Sequence, residues 1–134
     1  MASILREAVI AAPAGRCWDA LRAFGQLHER LAKGFVTDTV MISDRDRRVT
    51  WFNGAVGTER LIGVDEQAMR LAYTVTEGPL GATHYNAVAQ VIPDGATQCR
   101  FTWAIDLLPD ELADRVAAMM DAGLAAITAT LEAT

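Results

Sequence analysis

Cysteine is scarce in this 134-residue sequence, which contains only Cys17 and Cys99. Two cysteines so far apart cannot build a disulfide framework or a zinc site, and both have apolar or aromatic neighbours. The sequence also lacks a His-x-x-x-His or Cys-x-x-Cys pair, a glycine-rich phosphate loop and a dinucleotide fingerprint. We therefore expect two buried free thiols, no metal and no cofactor.

Positive charge is also limited, with 12 Lys and Arg against 17 Asp and Glu and a net charge of -5. Binding to phosphates needs clustered Lys and Arg, so nucleic acid is excluded as a partner. The one dense basic group, Arg45-Asp46-Arg47-Arg48, is typical of a solvated hairpin turn. No apolar run approaches the roughly 20 residues of a membrane span, and the N-terminus does not resemble a signal peptide. These features predict a cytoplasmic protein without a membrane span.

The composition is that of an ordinary globular protein, with 51% hydrophobic and 22% charged residues. This balance excludes a disordered or low-complexity chain. A chain of this length buries a real core but is too short for two domains. We therefore treat residues 1–134 as a single domain.

The pattern along the chain predicts both strands and helices. A first strand covers residues 4–11, Pro13 begins a short helix that Gly25 ends, and a second short helical stretch covers residues 26–32. Alternating residues and turn signals then predict a meander of six strands at residues 35–43, 48–52, 57–64, 68–76, 82–92 and 97–106. The sequence thus combines one leading strand, two short helices and a meander.

A closing helix begins at Pro109-Asp110-Glu111, where proline and acidic residues suit a first turn. One apolar stripe follows at helical spacing: Leu112, Val116, Met119, Met120, Gly123, Leu124, Ile127 and Leu131. This stripe must pack on something apolar, and a curved sheet is the only candidate. The predicted fold is therefore α+β, with an antiparallel sheet wrapped around a long C-terminal helix.

The segment from Gly57 to Val91 carries the strongest functional signal. Its alternation places Glu59, Tyr73 and Tyr85 among apolar side chains on one face of the sheet. A carboxylate and two phenols on a concave apolar surface suit a pocket for a small, mostly apolar molecule better than a plain core.

Two motifs resemble the START-like helix-grip superfamily: the run from Ile10 to Gly25 (IAAPAGRCWDALRAFG) and Glu59-Arg60-Leu61, followed by a Leu/Tyr-rich strand and a Gly-Pro-Leu turn. The second is similar to the polyketide cyclase/dehydrase branch. The resemblance implies about seven strands and a cavity between sheet and helix, guarded by loops 53–57 and 78–82. It also implies that Glu59 and Tyr85 point inward. A lysine used by some relatives falls near Leu71 here, and its absence disfavours Schiff-base chemistry.

The catalytic candidates are Glu59 and Tyr85. A carboxylate facing an apolar cavity can serve as a general acid or base, because loss of water disfavours its charged form, and a tyrosine can donate a proton beside it. The alternative is that Glu59 pairs with Arg60, Arg70 or a group on a neighbouring strand at the surface. The ligand-contact candidates, each of which could instead fill the core or the pocket wall, are Trp51, Leu71, Tyr73, Ala87, Phe101, Trp103, Met119 and Met120.

Three functions remain open on the sequence alone. The first is a protein that binds a small hydrophobic or aromatic molecule in the cavity. The second is a cofactor-free cyclase, dehydratase or lyase that uses Glu59 as general acid or base. The third is an interaction module with a vestigial cavity. A homodimer through a strand edge or helix end is plausible for each of them.

Overall fold

A computed structural model describes all residues, 1–134, as one antiparallel sheet, two α-helices and three short helical turns. The strands are β1 (Ala2–Ile10), β2 (Val36–Met41), β3 (Asp46–Trp51), β4 (Val56–Asp65), β5 (Arg70–Glu77), β6 (His84–Pro93) and β7 (Cys99–Leu108). The helices are α1 (Ala14–Arg22) and α2 (Ala113–Glu132). This is the helix-grip architecture that the resemblance implies, so the fold prediction is confirmed.

The seven strands lie in the order β1-β7-β6-β5-β4-β3-β2. Strands β2 to β6 each pair with the next strand along the chain, which confirms the six-strand meander β2–β7. Strand β1 pairs with β7 over its whole length, from Ala2 opposite Leu107 to Ile10 opposite Cys99. Strand β1 thereby adds the seventh strand and brings the N-terminal segment beside α2.

Strict alternation in β6 and β7 builds the inner face of the sheet. Every second residue is buried, and the buried set is Tyr85, Ala87, Ala89 and Val91 in β6 and Cys99, Phe101, Trp103, Ile105 and Leu107 in β7. Such a two-residue period is what a half-buried strand requires. The two cysteines are free and buried, as expected.

Helix α2 packs its apolar stripe into the core through Val116, Met120, Gly123, Leu124, Ile127 and Leu131. Gly123 lets the helix approach the sheet closely, because a Cβ there would lie 3.1 Å from Trp103 and 3.2 Å from Phe35. The helix begins at Ala113 rather than at Pro109, since Asp110–Leu112 form a separate 3₁₀ turn. No helix in the structure has the length and apolarity needed to cross a bilayer.

Two local predictions need correction. The second short helical stretch is not regular: Phe24–Gln26 form a 3₁₀ turn and Leu27–Leu31 a π-helical turn. The basic group at residues 45–48 is not wholly a solvated turn, because β3 already begins at Asp46 and its alternation turns Arg47 inward and Arg48 outward. Arg47 is only 5% exposed.

Candidate functional site

A cavity of about 420 Å³ lies between the sheet and α2 at the open end of the fold. Its walls come from β3, β4, β5, β6, α2 and the connecting loops. We call this space the outer cavity, lined by Phe35, Trp51, Phe52, Asn53, Ala55, Glu59, Val75, Thr76, Glu77, Gly78, Pro79, Leu80, Gly81, Ala82, Tyr85, Arg115, Ala118, Met119 and Ala122. Residues of both predicted mouth loops, 53–57 and 78–82, are among them. Most of the wall is apolar, and the charged groups Glu77 and Arg115 are exposed.

A smaller space of about 60 Å³ lies deeper in the fold. We call it the inner cavity, lined by Leu21, Leu27, Leu31, Ala32, Phe35, Val36, Arg47, Trp51, Glu59, Leu71, Tyr73, Tyr85, Ala89, Phe101, Trp103, Met119, Gly123 and Ile127. Five side chains line both spaces: Phe35, Trp51, Glu59, Tyr85 and Met119. These five therefore form the wall between the outer and inner cavities.

Gly57 shapes this wall by letting the Trp51 ring lie close to the backbone of β4. A Cβ at position 57 would come within 2.8 Å of the Trp51 ring and 3.0 Å of the Glu77 carbonyl oxygen. Any larger residue would therefore have to displace the indole or the backbone of β5.

Glu59 is buried in an ion pair with Arg47, directly opposite it in the pairing of β3 with β4. The Arg47 Nη2 atom lies 2.7 Å from Glu59 Oε1, and Arg47 Nε donates to the same oxygen at 2.9 Å. Glu59 is 6% exposed. Both contacts end on Oε1, so the second carboxylate oxygen, Oε2, has no hydrogen-bond partner in the protein.

Arg47 makes further contacts that fix the position of its guanidinium. Its Nη1 atom donates to the Phe24 carbonyl oxygen at 3.0 Å, and its guanidinium lies 3.8 Å from the centre of the Phe24 ring and 5.4 Å from that of Tyr73. Desolvated cation–π contacts of this kind add to the ion pair. Arg47 thus joins β3 to the turn after α1 and fixes the orientation of Glu59.

The two tyrosines differ in their hydrogen bonding. Trp103 Nε1 donates to the Tyr73 hydroxyl at 3.2 Å, which joins Tyr73 to β7. The Tyr85 hydroxyl makes no hydrogen bond within the protein, although its ring is buried and lines both cavities. Burial, with smaller contributions from Tyr73 and Glu59, raises the pKa of Tyr85 well above its ordinary value. Tyr85 therefore remains a neutral phenol that can donate a hydrogen bond near neutral pH.

The buried tyrosines make stability fall in alkaline solution. Burial raises the pKa of Tyr73 as well as that of Tyr85 in the folded state, so above pH of about 10 the unfolded state loses the phenol protons first. The contribution of these tyrosines to stability is then fully present below pH 10 and falls above it, by up to about 1.4 kcal/mol per pH unit for each tyrosine. Urea unfolding from pH 8 to pH 11 measures how the free energy of unfolding decreases with pH. A Tyr85→Phe variant should show a smaller alkaline loss than the wild type, and equal slopes would contradict the expectation.

The sequence-predicted site residues lie at different depths. Glu59, Tyr85, Trp51 and Met119 line both cavities. Leu71, Tyr73, Phe101 and Trp103 line only the inner cavity. Ala87 and Met120 are fully buried and line neither space, so their positions do not support a role in ligand contact.

The sequence analysis missed Arg47 and the small residues that hold the outer cavity open. The alternation of β3 could have revealed Arg47, because Arg47 and Val49 share the buried face. Of the alternatives for Glu59, pairing with Arg60 or Arg70 does not occur, since Arg60 binds Asp46; the partner is Arg47 on the neighbouring strand, but it is buried rather than at the surface. No group of three or more His, Cys, Asp or Glu side chains is arranged to hold a metal ion.

Solved structures share this architecture over nearly the whole chain. A protein from Bacillus thuringiensis has a TM-score of 0.86 at 19% identity and covers 97% of this chain and 98% of its own. Norcoclaurine synthase from Thalictrum flavum, solved with dopamine and hydroxybenzaldehyde, has a TM-score of 0.72 at 22% identity, covering 98% and 84%. A START superfamily protein from Mycobacterium smegmatis has a TM-score of 0.76 at 12% identity, covering 98% and 94%. At these identities the likeness shows a common fold.

Sequence comparison gives the family. Among proteins with curated descriptions, none matches this sequence. The profile of one family matches residues 1–132, which is almost the entire chain. The helix-grip fold and the cavity between sheet and helix agree with this match. The chain therefore belongs to the polyketide cyclase/dehydrase and lipid transport family.

Proposed function

We propose that the protein binds a small, largely apolar or aromatic molecule in the outer cavity. The observation that carries the proposal is a space of about 420 Å³ with mostly apolar walls and two free polar atoms, Glu59 Oε2 and the Tyr85 hydroxyl, at its inner end. Volumes of this order, with few polar groups, are typical of sites for small molecules.

The size of the space argues against a packing defect. Voids left in protein cores destabilise by about 24 cal/mol per Å³. A dry, closed void of 420 Å³ would thus cost on the order of 10 kcal/mol, as much as the whole stability of a typical domain. The same space is sustainable as an opening that water or a ligand fills, which supports the binding role.

The ion pair of Glu59 favours binding over catalysis. A buried carboxylate without a partner would suit a general acid or base, because desolvation would bring its protonation into the working range. Here Arg47 Nη2 lies 2.7 Å from Glu59 Oε1 and is itself buried, so Glu59 is held in an ion pair rather than left without a partner. We infer that Glu59 and Tyr85 orient the ligand through hydrogen bonds. The alternative is that Glu59 transfers a proton in a cofactor-free cyclisation, dehydration or lyase step.

Mass spectrometry distinguishes these two functions. The wild type and its Glu59→Gln variant are incubated with a panel of aromatic, phenolic and polyketide-like compounds, and bound ligand and new products are both recorded. We expect unchanged ligand to be retained by the wild type, more weakly by Glu59→Gln, with no product from either. A product that forms only when Glu59 is intact would overturn the binding proposal in favour of catalysis.

A further inference from the structure

We propose that the inner cavity is a subsite for one short, neutral, hydrogen-bonding substituent of the ligand, such as a hydroxyl group. This inference rests on the function proposed above and specifies the chemical class of the ligand. It follows from the size, the free polar atoms and the charge balance of the inner cavity.

Size sets the first limit. The inner cavity measures about 60 Å³, whereas one water molecule occupies about 30 Å³ in the liquid. The space therefore accepts about two waters or a substituent of one or two heavy atoms, and it is too small for a ring. A ligand whose body fills the outer cavity can reach it only with a short group that crosses the five-residue wall between the two spaces.

Hydrogen bonding sets the second limit. Each nitrogen of Arg47 already has a partner in the protein, because Nε and Nη2 contact Glu59 and Nη1 donates to the Phe24 carbonyl. The Tyr73 hydroxyl accepts a hydrogen bond from Trp103 and keeps its own O–H to donate. The groups left for a ligand thus include one acceptor, Glu59 Oε2, and two phenols, Tyr73 and Tyr85. A hydroxyl matches both, because it donates to a carboxylate and accepts from a phenol at once.

Charge sets the third limit. Glu59 and Arg47 neutralise each other inside the fold, and no other charged residue lines the inner cavity. An anionic substituent would meet the carboxylate, and a cationic one would meet the guanidinium, each without a counterion of its own. Burying an uncompensated charge is costly. The pairing therefore selects a neutral substituent.

Calorimetric titration of the wild type with matched ligands tests this selection. We expect 2-naphthol to bind about tenfold more tightly than 2-methylnaphthalene, because a hydroxyl and a methyl group are close in size and only the hydroxyl can bond to Glu59 and Tyr85. We expect 2-naphthoate and 2-naphthylmethylammonium to bind more weakly than 2-methylnaphthalene. Equal affinity for 2-naphthol and 2-methylnaphthalene, or preference for either ion, would overturn the inference.

Two Ala→Val variants test whether the preference for 2-naphthol over 2-methylnaphthalene arises in the inner cavity. Ala89 lines only the inner cavity, whereas Ala118 lines only the outer one. We expect Ala89→Val to reduce the tenfold preference for 2-naphthol to about one. Ala118→Val should weaken both ligands by the same factor and keep the preference. A preference that survives Ala89→Val would overturn the subsite, whereas the absence of binding by every naphthalene in the wild type would contradict the proposed function itself.

Discussion

Replacement of Arg47 by methionine lowers the free energy of unfolding by about 3–5 kcal/mol, because the substitution leaves the buried Glu59 carboxylate without its cation. The effect exceeds that of losing an ordinary contact, since the cost of the desolvated charge is no longer offset. It also removes the hydrogen bond to the Phe24 carbonyl and the stacking on the Phe24 ring. Denaturant unfolding of the wild type and the variant measures the difference.

Two further variants show that the charge, rather than lost packing, is responsible. The double variant Arg47→Met/Glu59→Leu should recover most of the stability, because apolar pairs of similar volume often replace buried ion pairs without loss. Arg60→Met removes an exposed pair with Asp46 and should leave stability nearly unchanged. A double variant as unstable as Arg47→Met alone would contradict this explanation.

Substitution of Met119 by tryptophan weakens ligand binding by about 100-fold or more, because the indole occupies space on the wall shared by the two cavities. The loss should come without a comparable loss of stability, since Met119 is half-buried and contacts the core only from its edge, at the cavity. Calorimetric titration with 2-methylnaphthalene and denaturant unfolding together measure both effects.

A matched variant lies farther along the same helix. Ala125 is exposed and lines neither cavity, so Ala125→Trp introduces the same ring into α2 without entering the site. It should retain the affinity of the wild type. Undiminished binding by Met119→Trp, or equal losses in the two variants, would mean that the ligand binds elsewhere.

Most of the fold was predictable because its signals are local. Alternation in β6 and β7 marks the inner face residue by residue, and the apolar stripe marks the buried side of α2. The irregular turns after α1 were not predictable, because residues 24–31 close their hydrogen bonds in 3₁₀ and π patterns that leave no distinct period.

The site was predictable only in part. Alternation placed Glu59 and Tyr85 on the inner face, but the partner of Glu59 depends on the register of β3 against β4. A basic cluster beside a turn does not reveal which of its arginines points inward. Neighbours on a helix raise the same difficulty: Met119 lines the cavities while Met120 is sealed in the core, and the apolar stripe contains both.

The presence of an open cavity also lies beyond simple pattern reading. Alanines at the wall of the outer cavity, namely Ala82, Ala118 and Ala122, leave space that larger residues would fill, whereas Gly57 and Gly123 let neighbouring aromatic rings pack closely. Each small residue is unremarkable in the sequence. Only their convergence in three dimensions distinguishes a cavity from a packed core.

The most direct test of the binding site is a titration of isotope-labelled protein with 2-methylnaphthalene, followed by amide chemical shifts in nuclear magnetic resonance. We expect saturable shifts concentrated at residues 51–59, 75–85 and 115–122, which surround the outer cavity. Shifts that cluster instead on the outer face of β1 or along β2, or no saturable shifts at all, would contradict a ligand site between the sheet and α2.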